Sequence, residues 1–379
     1  MSRIFILLVC VVSLASCKKN TNFSPKQGEL IDLGFIDDTE IDMVNNQFQP
    51  IVLYNNEVFV ATKNGIWKSG LTNVSWSQVG LAGKNIISLY AHPEKPGHFY
   101  AGVKTSNATD KSLYISTNGG VSWVPASDLP FDRLGDRYEP FHYIIARPSH
   151  PDHLFANLTS VTIAVSKDGG QSWNRMNYMN DSYAASYDCP LHFLPGNPNE
   201  IFIGAEAPLD DAWLGKYEID AADPVRLKNF KKVVDASYWH YRRPNQIESS
   251  KSAPGSLYVG QEGALSKVTG NQFKFIFKVE GSGHDGPFPP AYIAGIWVDP
   301  KNPHHILFGG RPQAPDPKCD CLSLFETYDE GANIMHIKDK LGLGFPKVLK
   351  ILDNGEHPII LLADTYTGKL KLALYKPSK

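Results

Sequence analysis

Apolar residues along this chain fall into short runs of strand length separated by turn residues, and the runs repeat. Five times a proline is followed, two residues on, by a short apolar strand that usually ends in a small residue. The copies are Pro96 to Gly102, Pro151 to Asn157, Pro198 to Gly204, Pro254 to Gly260 and Pro303 to Gly309. Their prolines lie 55, 47, 56 and 49 residues apart. Weaker copies flank them, at Asn55 to Ala61 and Pro358 to Asp364. A period near 50 with strand patterning throughout predicts a β-propeller array.

Each unit reads as four strands, a to d, joined by turns. In the second, Ile86 to Ala91 is strand a, Phe99 to Val103 strand b, Ser112 to Ser116 strand c, and Trp123 opens strand d. Seven units follow, at about 48–83, 84–130, 138–180, 184–236, 244–281, 290–341 and 345–376. The last shows only three strands, Val348 to Leu352, Ile359 to Ala363 and Leu370 to Tyr375, while Glu29 to Phe35 is a strand without a unit. The surplus at one end matches the deficit at the other. The expectation is an all-β, seven-bladed propeller of four-stranded antiparallel blades, closed by the N-terminal strand so that no open edge remains. Six blades is the alternative, because the first and last units are the weakest.

Two turns between strands c and d are nearly identical octamers: Ser116-Thr117-Asn118-Gly119-Gly120-Val121-Ser122-Trp123 and Ser166-Lys167-Asp168-Gly169-Gly170-Gln171-Ser172-Trp173. A third, Thr327 to Ile334, lacks the tryptophan. These octamers resemble the Asp box of the sialidase-like (BNR-repeat) propellers. Their chemistry reads as structural: Asp or Asn bonds the turn backbone, Gly accepts positive φ, and Trp covers the gap between sheets. The resemblance implies a fold more than an activity, since its relatives include hydrolases, lyases and receptors. The Arg-Ile-Pro segment that sialidases carry before the first box is absent.

With this strand order the a–b and c–d turns share one face, and the d–a and b–c connections share the other. The first set is short and regular. The second varies in length and is chemically loaded, which makes it the expected seat of function on a rigid repeat. The d–a segments are 131–143, holding His142 and Tyr143; 181–188, holding Tyr183; 238–246, holding His240, Tyr241, Arg242 and Arg243; and 283–292, holding His284 and Asp285. Long b–c loops are read at Glu206 to Trp213 and from Arg311 to Cys321. His304 and His305 fall on the opposite face, in a proline-phrase turn read as solvated.

His and Tyr are the usual groups for moving a carbon-bound proton, and arginine clasps carboxylates or sulfates. His240, Tyr241, His142 and Tyr143 are therefore the catalytic candidates. Arg242, Arg243, Arg311, Tyr183, His284 and Asp285 are the substrate-binding candidates. The expected partner is a poly- or oligosaccharide, acidic or complex, processed by hydrolysis or elimination. The alternative is a propeller without catalysis that binds glycan or protein. No cofactor and no metal are expected.

The N-terminus changes the cellular picture. Arg3, the apolar run Ile4 to Leu14 and then Leu14-Ala15-Ser16-Cys17 resemble a bacterial lipoprotein signal with its lipobox. That implies residues 1–16 as signal, Cys17 as the lipidated first residue, 17–28 as a tether and 29–379 as one propeller. Lys18 and Lys19, with no acidic residue at the second position, imply the outer membrane. Membrane contact would be through the lipid alone, since no interior run approaches the ~20 apolar residues of a spanning helix. A net charge of −2 gives no nucleic-acid surface, and a monomer is expected. Cys189, Cys319 and Cys321 allow at most one bridge, and Cys-x-Cys alone is poor zinc spacing.

Overall fold

In the computed structural model the described residues are 27–40, 49–105, 111–126, 141–158, 162–177, 190–207, 211–223, 226–234, 244–278, 292–311, 323–337, 341–343, 346–355 and 357–378. They contain strands and turns and no helix. The N-terminal strand is β1 (Glu29–Glu40). The first blade is β2 (Ile51–Tyr54), β3 (Glu57–Thr62), β4 (Gly65–Gly70) and β5 (Ser77–Gly80); the second is β6 (Asn85–Ala91), β7 (Phe99–Lys104), β8 (Leu113–Ser116) and β9 (Val124–Pro125). The third is β10 (Tyr143–Arg147), β11 (His150–Asn157), β12 (Thr162–Ser166) and β13 (Asn174–Asn177); the fourth is β14 (Leu191–His192), β15 (Glu200–Ala207), β16 (Asp211–Ile219) and β17 (Leu227–Val234). The fifth is β18 (Gln246–Ser250), β19 (Ala253–Gln261), β20 (Ala264–Thr269) and β21 (Gln272–Lys278); the sixth is β22 (Tyr292–Val298), β23 (Ile306–Arg311), β24 (Leu324–Thr327) and β25 (Met335–His336). The seventh is β26 (Pro346–Leu352), β27 (Ile359–Asp364), β28 (Lys369–Lys376) and, as its outer strand, β1. Seven sheets of four antiparallel strands make a seven-bladed propeller, which excludes the six-blade alternative.

The core is distributed around the ring, because each sheet buries both faces against its neighbours. Apolar clusters sit between blades 1 and 2 (Phe59, Ile66, Phe99), 2 and 3 (Tyr100, Ile144, Trp173), and 3 and 4 (Phe155, Val165, Ile203). Others sit between blades 4 and 5 (Leu214, Ile247, Val259), 5 and 6 (Tyr258, Ile293, Phe308), and 6 and 7 (Leu307, Val348, Leu362). The ring closes where Ile51 and Val58 of blade 1 meet Leu349 and Leu361 of blade 7. The closing strand is held antiparallel to β28, with Glu29 opposite Lys376 and Asp32 opposite Ala373. The Lys371 ammonium sits 2.6 Å from the Asp32 carboxylate and lies over the Phe35 ring, while also donating to the Leu341 carbonyl.

The octamer turns behave as staples. Asp168 accepts from the Ser172 backbone N–H at 2.8 Å, and the Ser166 hydroxyl takes the Gly170 N–H at 2.8 Å. Asn118 and Asp329 accept equivalent bonds from Ser122 and Asn333 at 2.9 and 2.7 Å. Gly119 donates to Gly97, Gly169 to Asp152 and Glu330 to His304, so each staple is tied to the proline-phrase turn of its own blade. The two turn sets therefore share a face. Trp173 inserts between blades, its ring 5.0 Å from Phe141 with the indole N–H on the Gly170 carbonyl.

The proline phrase also joins blades. His92 sits four residues before Pro96, and its Nε2 lies 2.9 Å from the Pro151 carbonyl of the next blade. Its Nδ1 accepts two backbone N–H bonds, from Glu94 and Lys95, which fixes the hydrogen on Nε2. Arg147, at the same offset from Pro151, donates from Nε to the Pro198 carbonyl at 2.7 Å.

Two sequence readings change. Glu206 to Trp213 is no long loop: β15 and β16 pair up to Ala207 opposite Asp211, and Trp213 lies inside β16 against Phe230. Apolar Trp213 finds more area to bury within the sheet than at its rim. His305 is not solvated but 3% exposed. Its Nδ1 faces Asp299 at 3.1 Å and its Nε2 faces buried Glu326 at 2.9 Å, with Tyr328 stacked on the ring. Glu326 also accepts the Tyr375 hydroxyl at 2.5 Å, and that oxygen takes the Gly28 N–H. A buried imidazole is tolerable here because it joins two carboxylates, one of them tied to the closing strand.

Candidate functional site

The inner strands β2, β6, β10, β14, β18, β22 and β26 line the centre of the ring. Alignment on the proline phrases puts Tyr90, Ile145, His192, Glu248 and Trp297 at one level, each six residues before its proline. Three of these make the same kind of contact to the following blade. The Tyr90 hydroxyl accepts the Ala146 N–H at 2.9 Å, His192 Nε2 lies 2.8 Å from the Ser249 hydroxyl, and the Trp297 indole donates to Asp353 at 3.0 Å. Glu248 does otherwise. It takes Lys350 Nζ from blade 7 at 2.5 Å and the Gln246 amide at 2.5 Å. That ion pair joins two blades that are not neighbours in the ring.

The electrostatics of this layer follow from burial. Desolvation pushes His192 down to about 4, with the Lys350 charge adding to it and the Glu248 charge opposing it. His192 is therefore neutral at physiological pH and serves Ser249 as a hydrogen-bond partner. Burial, then the charge of Glu248, raises the Tyr143 phenol. It stays protonated at physiological pH. The layer balances its own charge and braces the ring.

Above it lies the d–a and b–c face. Of the sequence-identified residues, His142 and Tyr143 are both buried at the start of the third blade's inner strand, where the His142 N–H donates to the Asn157 carbonyl. Tyr143 belongs to the apolar cluster between blades 3 and 4. Arg311 ends β23 opposite Tyr292 and is exposed on this face. Tyr183, His240, Tyr241, Arg242, Arg243, His284 and Asp285 lie outside the described residues, as do Cys17, Cys189, Cys319 and Cys321. Among the described residues no three His, Cys, Asp or Glu side chains converge as metal ligands. The His192–Ser249 and Glu248–Lys350 contacts escaped the sequence reading, which weighed loops; counting back from each proline would have set His192 and Glu248 at one level.

No known family's sequence profile matches the chain, and no curated protein matches it. Solved structures do resemble it. The GH74 xyloglucanase from Xanthomonas campestris is 15% identical with a TM-score of 0.59, over 91% of this chain and 55% of that one. The GH74 enzyme from Niastella koreensis is 15% identical with a TM-score of 0.60, over 87% of this chain and 53% of that one. YCF48 bound to a D1 peptide is 12% identical with a TM-score of 0.57, over 94% of this chain and 98% of that one. The chain thus spans about half the length of the GH74 enzymes and nearly all of YCF48. At these identities the likeness is one of fold.

Proposed function

We propose that this protein is a lipid-anchored propeller that takes acidic or complex glycans on its d–a and b–c face and cleaves them by hydrolysis or elimination. The observation that carries the reading is the strand order. It brings the described strand ends that flank 131–140, 181–188, 238–243 and 283–291 to one face, where Arg311 is exposed. Those segments concentrate His, Tyr, Arg and Asp. The fold shared with glycan-cleaving enzymes supports the reading. His240 is the proton-transfer residue with Tyr241 assisting, at a rim whose inner wall holds His142 and Tyr143. Arg242, Arg243 and Arg311 hold substrate anions, and Tyr183, His284 and Asp285 complete the binding surface. Cys17 carries the lipid, at the outer membrane.

The test is a screen of purified protein against plant and algal polysaccharides. New reducing ends mark hydrolysis, and ultraviolet-absorbing unsaturated ends mark elimination. Depolymerisation that disappears in His240→Ala is the expected result; no depolymerisation of any acidic or complex glycan would overturn the enzymatic reading. A second reading, a peptide- or glycan-binding propeller without catalysis, is favoured by the near-complete length match to YCF48. Binding without product formation would establish it.

A further inference from the structure

The closing strand fixes where the chain enters the ring. Gly28 donates its N–H to the Tyr375 hydroxyl at 3.1 Å, and Glu29 lies opposite Lys376 at the end of β28. That end belongs to the face of the proline-phrase and octamer turns. The Tyr375 N–H donates to the carbonyl of Pro358, in the last proline phrase, at 2.9 Å. Just past β28, the Ser378 hydroxyl sits 3.2 Å from that of Tyr328 in the third octamer turn. The far end of β1 reaches the opposite face. There the Glu40 carbonyl accepts the Lys63 N–H at 2.8 Å, and its carboxylate pairs with the Lys63 ammonium at 3.0 Å, in the b–c turn of the first blade. β1 therefore runs the full height of the ring, and the chain before Gly28 joins it on the turn face.

Two lengths decide what this means for an anchored protein. Gly28 is eleven residues on from Cys17. However they run, eleven residues span at most about 40 Å. To turn the d–a and b–c face toward a bilayer that holds Cys17, this segment must first descend the height of the blade. That height is about 25 Å, from the eight residues of β28 at about 3.3 Å each. The rim lies beyond it, so most of the available length would be consumed and the rim would be pressed on the lipid. With the turn face toward the bilayer, no descent is needed. That face also suits apposition to a surface, because its turns are short and stapled to one another, Gly119 to Gly97, Gly169 to Asp152 and Glu330 to His304.

We propose that the anchor holds the propeller with its proline-phrase and octamer turns toward the bilayer and presents the d–a and b–c face away from it. The proposal rests on the lipid-anchor reading above and deepens the glycan reading. The partner of the turn face is the phospholipid surface. The candidate face then meets polymer arriving from the aqueous side, and a long chain can lie across it without meeting lipid.

The test uses the full lipidated chain in vesicles of phosphatidylethanolamine and phosphatidylglycerol whose headgroups carry an energy-transfer acceptor. A donor dye is clicked to an azido residue placed at Val121, in the second blade's octamer turn, or at Lys63, on the opposite face of the neighbouring blade. Both positions are exposed. The faces stand about 25 Å apart, so transfer from Val121 should exceed transfer from Lys63 by at least about twofold. Lys167 and Lys104, on the turn face and the opposite face, supply a second pair should either label disturb folding. Equal transfer would mean that the ring lies on its side, and greater transfer from Lys63 that it is inverted; either overturns the proposal while the lipid reading stands. If the protein does not enter the vesicles, the lipid reading fails and the orientation falls with it. Neither outcome bears on glycan cleavage, which the soluble Cys17→Ser protein reports separately.

Discussion

Lys350 on the inner strand of the seventh blade reaches Glu248 on the inner strand of the fifth, Nζ to Oε1 at 2.5 Å, spanning the ring past the sixth. The Lys350 side chain is 11% exposed and that of Glu248 is 27% exposed, so water screens the pair incompletely. Lys350→Met strands the carboxylate with only the Gln246 amide, and should cost about 1–3 kcal/mol in urea unfolding. Adding Glu248→Gln should restore most of that loss, because removing both charges avoids an uncompensated one. A double variant no more stable than Lys350→Met would mean that the pair does not brace the ring.

Stability should fall as the medium is acidified from about pH 6.5 toward pH 4 through His192. Its folded-state value is depressed from 6.5 to about 4, so between those values the unfolded chain binds the extra proton. The contribution is present above pH 6.5 and is lost as pH falls toward 4. His192→Gln should flatten the melting temperature over this window relative to wild type. An unchanged slope would assign the acid sensitivity elsewhere, with His92, lowered chiefly by burial, as the next residue to replace.

Tyr375→Phe should destabilise the closure by about 1–3 kcal/mol, because one hydroxyl serves both the Gly28 N–H and buried Glu326. Deleting residues 18–40 removes β1 altogether and should lower the melting temperature much further. Equal melting temperatures for the deletion and the full chain would contradict the closure.

Asp168→Ala should cost about 1–2 kcal/mol in stability and leave glycan binding unchanged, since the residue staples a turn on the opposite face. Partial burial would raise its carboxyl, but the Ser172 hydroxyl and N–H and the Ser166 hydroxyl outweigh that and hold it below the usual range. Loss of binding at unchanged stability would give Asp168 a direct role instead.

Cys17→Ser should release the protein from membranes and abolish fatty-acid labelling. Labelling that persists in the variant would overturn the lipobox reading.

The fold was legible because a repeat states the same fact several times. Each proline phrase reports a turn and the apolar second strand of its blade, and even the missing strand of the last unit was visible as the surplus at Glu29 to Phe35. The rim was less legible. Tyr143 and Gln246 read as loop residues because polar and aromatic side chains at a strand's first position look the same in sequence as a loop's last. His305 read as solvated because a histidine in a turn gives no sign of Asp299, Glu326 and Tyr328 folding around it. The Glu248–Lys350 bond crosses 102 residues, and no local pattern encodes such a pair.

The strand that closes the ring also sets a timetable. Glu29 lies opposite Lys376, so among the described residues the most N-terminal strand hydrogen-bonds the most C-terminal one. Six blades can assemble from neighbouring segments as they emerge, but the seventh has only β26 and β27, and β1 has no strand to pair with, until β28 exists. Pairings this distant raise contact order and slow folding, and an unpaired edge invites association while it waits. The same hydrogen bonds that seal the mature protein thus define a late, exposed intermediate, and conditions that delay β28 should favour its aggregation.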